Sequence, residues 1–79
     1  MNARQKIDEA GLTYRQAIQK KNWQVAANQL AVMNKIAHDE KIRLQSEIKK
    51  AIIAKNDVLL NMLVDEIHLV DNYTAGNLK

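Results

Sequence analysis

The sequence predicts an all-α fold: antiparallel helical hairpins forming a three- or four-helix bundle that is completed by oligomerisation. The tract between Leu12 and Ala75 contains neither glycine nor proline, the two residues that interrupt helices most strongly. Apolar residues recur within it at intervals of three and four, as one face of a helix requires. The 79 residues include no cysteine, so the small core gains nothing from disulfides, and oligomerisation is a common remedy. We assign 1–72 to a single helical domain and 73–79 to a frayed C-terminal tail.

Asparagines mark the two predicted turns. The segments AIQKKN at 17–22 and AIIAKN at 51–56 share four of six residues at a fixed offset. Asparagine is a favoured N-cap because its side chain accepts a hydrogen bond from a free amide of the first turn. Lysines immediately upstream suit the negative end of a preceding helix. The helices are therefore expected to break at 20–22 and 55–57.

The first helix is predicted from Ala3 to Lys20, with a narrow apolar stripe typical of a peripheral helix. Gly11 borders this stripe and permits close approach of a neighbouring helix. Alternatively, Gly11 ends a short helix and Thr13 caps the next; we favour one helix. The stripe consists of Ile7, Ala10, Tyr14, Ala17 and Ile18.

The second helix begins at Trp23, which we expect to be a core residue that locks the turn, with an interface anchor as the alternative. Residues 38–40 interrupt the apolar pattern. Asp39 could cap a new helix there, giving four helices, or the helix could continue, giving three with a very long middle one. Downstream, a solvent-facing stripe alternates in charge at helical spacing: Glu40, Arg43, Glu47 and Lys50.

The last helix, residues 57–72, is apolar around most of its circumference, and such a helix is normally buried on several sides. A chain this short has too few helices to surround it, so we expect it to contact another subunit. Glu66 projects from the apolar face, and a buried carboxylate is costly unless paired. It is therefore predicted to pair with a lysine such as Lys41 or Lys49 or with another chain, or else to lie at a partly wet rim. The predicted interface comprises Leu59, Leu60, Leu63, Val64, Ile67, Val70 and Tyr73.

Residue types that carry chemistry are sparse. No serine, threonine or cysteine stands in a pattern typical of a nucleophile, and no glycine-rich phosphate loop is present, so the chain is expected to be non-enzymatic and to bind no cofactor. Asp65 and His68 lie one turn apart, but zinc sites usually cluster more ligands, and a solvated strip is expected instead of a metal site. With no membrane-spanning apolar run and no secretory signal, the expected location is the cytoplasm, as for a bacterial or phage factor.

The charge is uneven along the chain. Residues 1–55 carry eleven basic and five acidic side chains, whereas residues 56–79 carry one and four. This basic excess supports an alternative function, a small nucleic-acid-associated regulator that contacts phosphates through a basic helix face. Its candidate contacts are Lys20, Lys21, Lys35, Lys41, Lys49 and Lys50.

Two segments are similar to known helical motifs. The spacing of Ala27, Leu30, Ala31, Val32 and Ile36 resembles the core of a helix-turn-helix, which implies a DNA-reading helix. Tyr14, the run Lys20-Lys21-Asn22-Trp23, and Ala26 with Leu30 resemble the turn and second helix of a tetratricopeptide repeat, whose period equals the offset between the two asparagine segments. These resemblances leave the main prediction unchanged: a protein–protein interaction module, such as an adaptor, inhibitor or assembly factor, acting as a homo-oligomer, with a dimer favoured.

Overall fold

The computed structural model describes residues 2–78, and this part of the chain is all-helical, without a strand. Helix α1 runs Ala3–Gln19, α2 runs Trp23–Ile53 and α3 runs Asp57–Asn77. All three helices pack against one another. Helix α2 runs antiparallel to its two neighbours, so the fold is a three-helix bundle made of two hairpins that share α2. The bundle is elongated, with extents of 50 × 19 × 16 Å.

Helix α1 begins at a capping box. The Asn2 side chain accepts a hydrogen bond of 2.9 Å from the Gln5 amide, and the Gln5 side chain accepts one of 3.1 Å from the Asn2 amide. Such reciprocal bonds satisfy amides that have no partner within the helix. The helix then passes through Gly11 without a break, which confirms the prediction of one helix over that of two.

The two turns share one hydrogen-bonding pattern, which explains the repeated sequence. Asn22 donates to the Ala17 carbonyl and Lys21 to that of Ile18, and the second turn repeats both bonds at the equivalent positions. This is the Schellman motif, whose C′ residue is left-handed and is usually glycine. Here the left-handed residues are lysines, Lys21 with φ 57° and Lys55 with φ 56°.

Each turn leads directly into the next helix through a capping asparagine. The side chain of Asn22 accepts from the Val25 amide, and that of Asn56 accepts from the Leu59 amide at 3.2 Å. The predicted asparagine caps are thus confirmed. The two segments are alike in sequence because each forms the same turn, and their offset is the number of residues from one turn to the next.

Helix α2 is continuous through residues 38–40, so of the two alternatives the chain adopts three helices with a long middle one. The same continuity contradicts the helix-turn-helix resemblance and a second tetratricopeptide repeat. A helix-turn-helix centred on Ala31 requires a turn after Leu30, and a second tetratricopeptide repeat requires a turn inside 23–53. The apolar spacing that suggested these motifs instead lies along one uninterrupted helix.

The core lies where all three helices overlap. Its fully buried large side chains are Ile7 of α1, Met33 and Leu44 of α2, and Val70 of α3. The predicted stripe of α1 faces this core, with Ile18 at its exposed margin. The prediction that Trp23 is a core residue is wrong: its side chain, at the first position of α2, is 61% exposed.

The C-terminus of α3 is held against α1 by Asn77, so the prediction of a frayed tail from residue 73 is wrong through residue 77. The Asn77 amide nitrogen donates to the Asp8 carboxylate at 2.9 Å and to the Tyr73 carbonyl at 2.8 Å. Its side-chain oxygen accepts a hydrogen bond from Arg15. Gly11 lies directly beneath, and a Cβ built on it would stand 2.6 Å from the Asn77 Cβ. The close approach predicted at Gly11 is therefore made by this asparagine.

Candidate interaction surface

Helix α1 is too short to cover the whole hairpin formed by α2 and α3. At 1.5 Å per residue, α1 is about 26 Å long and α2 about 46 Å. Asn2, the N-cap of α1, and Ala3, its first residue, lie beside Glu40 and Arg43 of α2. Beyond that level, no helix of the described chain continues α1. We call the uncovered surface, formed by 44–53 of α2 and 57–63 of α3 on the side of α1, the distal groove.

The α3 wall of the distal groove is apolar. Glu66, Tyr73 and Asn77 mark the face of α3 that contacts α1, since the first two meet Arg4 and the third meets Asp8 and Arg15. Leu59 stands seven residues before Glu66 and Met62 four before it, so both continue that face. The Leu59 side chain is 38% exposed and that of Met62 is 64% exposed.

The α2 wall is charged and alternates in sign. Arg43 pairs with Glu40, and the Lys50 ammonium lies 3.3 Å from the Glu47 carboxylate, so the predicted ion-paired stripe is confirmed. The pKa of Arg43 is raised above its ordinary value, chiefly by the hydrogen bond from its guanidinium to Glu40. Glu47 and Lys50 each stand seven residues after a residue beside the start of α1, so they border the distal groove.

The floor and the tip of the groove are apolar as well. Ala51 is buried beneath it, while Val58, in the first turn of α3 at the tip, is 73% exposed. At the other end, where α1 begins, an open depression of about 460 Å³ lies at the α1–α2 interface. The groove therefore has apolar surface on its floor, on one wall and at its tip.

The predicted interface residues of α3 divide into three groups. Val70 is fully buried in the core of its own chain, so its assignment to an interface between chains is wrong. Leu63 and Ile67 pack against that core, and Leu60 is half-buried. Leu59, Val64 and Tyr73 keep more than a third of their surface exposed. Periodicity showed that α3 is apolar nearly all round, but it did not distinguish the face that meets α1 and α2.

The predicted partners of Glu66 are wrong. Its carboxylate lies 3.2 Å from the Arg4 guanidinium of α1, and Arg4 also stacks 5.8 Å from the centre of the Tyr73 ring. Lys41 pairs instead with Asp71 at 2.9 Å, and Lys49 is exposed. Arg4 reaches Glu66 because α1 and α3 run parallel, a tertiary relation that the local pattern did not contain.

The candidate phosphate-binding lysines do not form one face. Lys20 and Lys21 lie at the turn before α2, whereas Lys49 and Lys50 lie near its far end, about 40 Å away along the helix. Lys41 and Lys50 are engaged in ion pairs with Asp71 and Glu47. The basic excess of the first 55 residues is thus distributed over the length of the bundle.

Within residues 2–78, no group of three or more histidine, cysteine, aspartate or glutamate side chains is placed to hold a metal ion. None of the helices described is both long enough and apolar enough to cross a membrane. Comparisons with models of protein families, with curated proteins and with solved structures found no match.

Proposed function

We propose that this protein is a non-enzymatic protein–protein interaction module that acts through its helix faces and associates with itself through the distal groove. The observation that carries the proposal is the groove itself: the surface that α1 covers along half of the hairpin continues, uncovered, along the other half. Leu59 and Met62 lie on that continuation with much of their side chains in water. Covering apolar surface of this kind drives association.

The size of the groove sets the expected affinity. Two helices side by side span about 20 Å, and α1 leaves about 15 Å of α2 uncovered. Two such patches bury on the order of 600 Å² in total, which is smaller than the interface of a stable complex. The association is therefore expected to be weak and to depend on protein concentration.

Light scattering coupled to size-exclusion chromatography, over concentrations from about 10 μM to about 1 mM, tests the proposal. The mass is expected to rise from the 9.0 kDa of one chain towards twice that value. The variant Met62→Lys places a charge in the groove and is expected to remain monomeric, because an unpaired charge is costly to bury. Since Met62 is exposed in the single chain, the variant should keep its helical circular dichroism.

The matched control is Ile42→Lys. Ile42 is a similar apolar residue, 52% exposed, but helical periodicity places it on the outer face of α2, away from the groove. This variant is expected to associate like the unmodified protein. A wild-type mass of one chain at every concentration contradicts the proposal, as does association of Met62→Lys at wild-type strength.

A further inference from the structure

We propose that the occupant of the distal groove is the distal groove of a second copy, packed antiparallel about a two-fold axis perpendicular to the helices. This inference rests on the self-association proposed above and adds its geometry. In this arrangement α2 lies on α2 of the partner and α3 lies on α3. The axis passes near residues 48–49 of α2 and near Met62 of α3, because these positions lie at the same level of the hairpin.

The charge pattern of the α2 wall favours this arrangement. Along α2, Glu47 precedes Lys50 by one helical turn. In an antiparallel pair centred between them, Glu47 of each copy faces Lys50 of the partner subunit, so both contacts are attractive. Attraction at both contacts favours this direction of packing.

The different chemical character of the two walls also favours the antiparallel arrangement. One wall is charged and belongs to α2, whereas the other is apolar and belongs to α3. A two-fold axis along the helices would set the Met62 wall against the partner's charged wall and leave Glu47 and Lys50 without opposite charges. The perpendicular axis joins apolar wall to apolar wall, with Met62 near the centre.

The length of the groove also fits a second copy. The uncovered part of α2 extends from 44 to 53, about 15 Å. About an axis at its middle, the partner's identical segment fills that length, and the partner's apolar tip stops where α1 begins. The partner's turn, residues 54–56, then reaches the level of 41–43, beside the depression lined by Asn2, Ala3 and Arg43.

Charge reversal tests the pairing. Glu47→Lys alone places a positive charge opposite Lys50 of the partner subunit, and Lys50→Glu alone places a negative charge opposite the partner's Glu47. Each variant should therefore dimerise at least about tenfold more weakly than wild type. An equimolar mixture of the two variants should restore dimerisation, since every contact between unlike chains is then attractive. Native mass spectrometry should show the mixed dimer well above half of all dimers.

Cysteine cross-linking tests whether the two copies pack antiparallel. Introduced cysteines can be used singly because the chain has no cysteine of its own. Met62→Cys lies at the axis and is expected to form a disulfide with its own copy on mild oxidation. Val58→Cys, similarly exposed but one turn nearer the tip, lies about 12 Å from its copy along the helix direction and should not, since disulfides need Cα atoms within about 7 Å. Asn61→Cys, on the outer face, is the second negative control.

The outcomes separate the two proposals. A wild-type chain that is monomeric at all concentrations overturns both self-association and the arrangement. A wild-type dimer that is lost with Met62→Lys but is unaffected by either charge reversal supports the groove and overturns the antiparallel pairing. Efficient cross-linking of Val58→Cys to itself also overturns it, since the proposed pair holds these two positions about 12 Å apart along the helix direction.

Discussion

The two glycines of the chain are expected to respond to alanine in opposite directions. Both lie inside helices, where replacing glycine by alanine alone gains up to about 1 kcal/mol. Gly76 has no heavy atom within 4 Å of the position of an added Cβ. Gly76→Ala, near the end of α3, should therefore stabilise the protein by about 0.5 kcal/mol and raise the midpoint of thermal unfolding by roughly 2–4 °C.

Gly11→Ala meets the Asn77 side chain instead. The added Cβ would lie 2.6 Å from the Asn77 Cβ, so α1 and α3 must separate or Asn77 must leave its site. Overpacking costs about 1–3 kcal/mol, and loss of the hydrogen bonds to Asp8 and Arg15 adds about 1 kcal/mol each. After subtracting the gain in helix propensity, a net destabilisation of at least about 2 kcal/mol is expected, which lowers the midpoint by 8 °C or more on the usual scale of roughly 4–8 °C per kcal/mol.

Thermal and urea unfolding followed by far-ultraviolet circular dichroism, at one protein concentration, measures both variants. The opposite signs make the comparison decisive, because helix propensity alone predicts stabilisation in each case. If Gly11→Ala raises the midpoint as Gly76→Ala does, α1 and α3 do not approach each other at Asn77, and the account of the docked C-terminus is refuted.

Two further predictions concern the turns and the contact between α1 and α3. Lys21→Gly and Lys55→Gly should each stabilise the protein by about 1 kcal/mol in urea unfolding, because glycine adopts the left-handed conformation without steric cost. The control, Lys20→Gly, should not stabilise it, because φ is negative at Lys20. Equal effects at Lys20 and Lys21 contradict the left-handed conformation of Lys21. Arg4→Met removes the half-buried pair with Glu66 and the ring contact, so it should cost about 1 kcal/mol. The part of that loss of stability due to the ion pair should disappear in high salt. A loss that does not change with salt would come from packing alone.

The features predicted from the sequence are those encoded within a few neighbouring residues. The Asn22 and Asn56 caps depend on an amide in the first turn of the same helix, and the alternating stripe of α2 depends on neighbours at i+3. The partner of Glu66 could not be predicted in this way, because Arg4 lies near the opposite end of the chain. The same holds for Asn77, whose burial depends on the absence of a Cβ at Gly11.

The apolar circumference of α3 is explained by its three different surroundings. Towards its C-terminus, Val70 is enclosed by the core, and the face that carries Tyr73 and Asn77 meets α1. Towards its N-terminus, the same face carries Leu59 and Met62 with no helix of the described chain opposite them. A side chain such as Met62 contributes little to the stability of a single chain while it stays in water. We therefore attribute its apolar character to the proposed association, so replacing it with lysine should alter the mass in solution far more than the stability of the isolated chain.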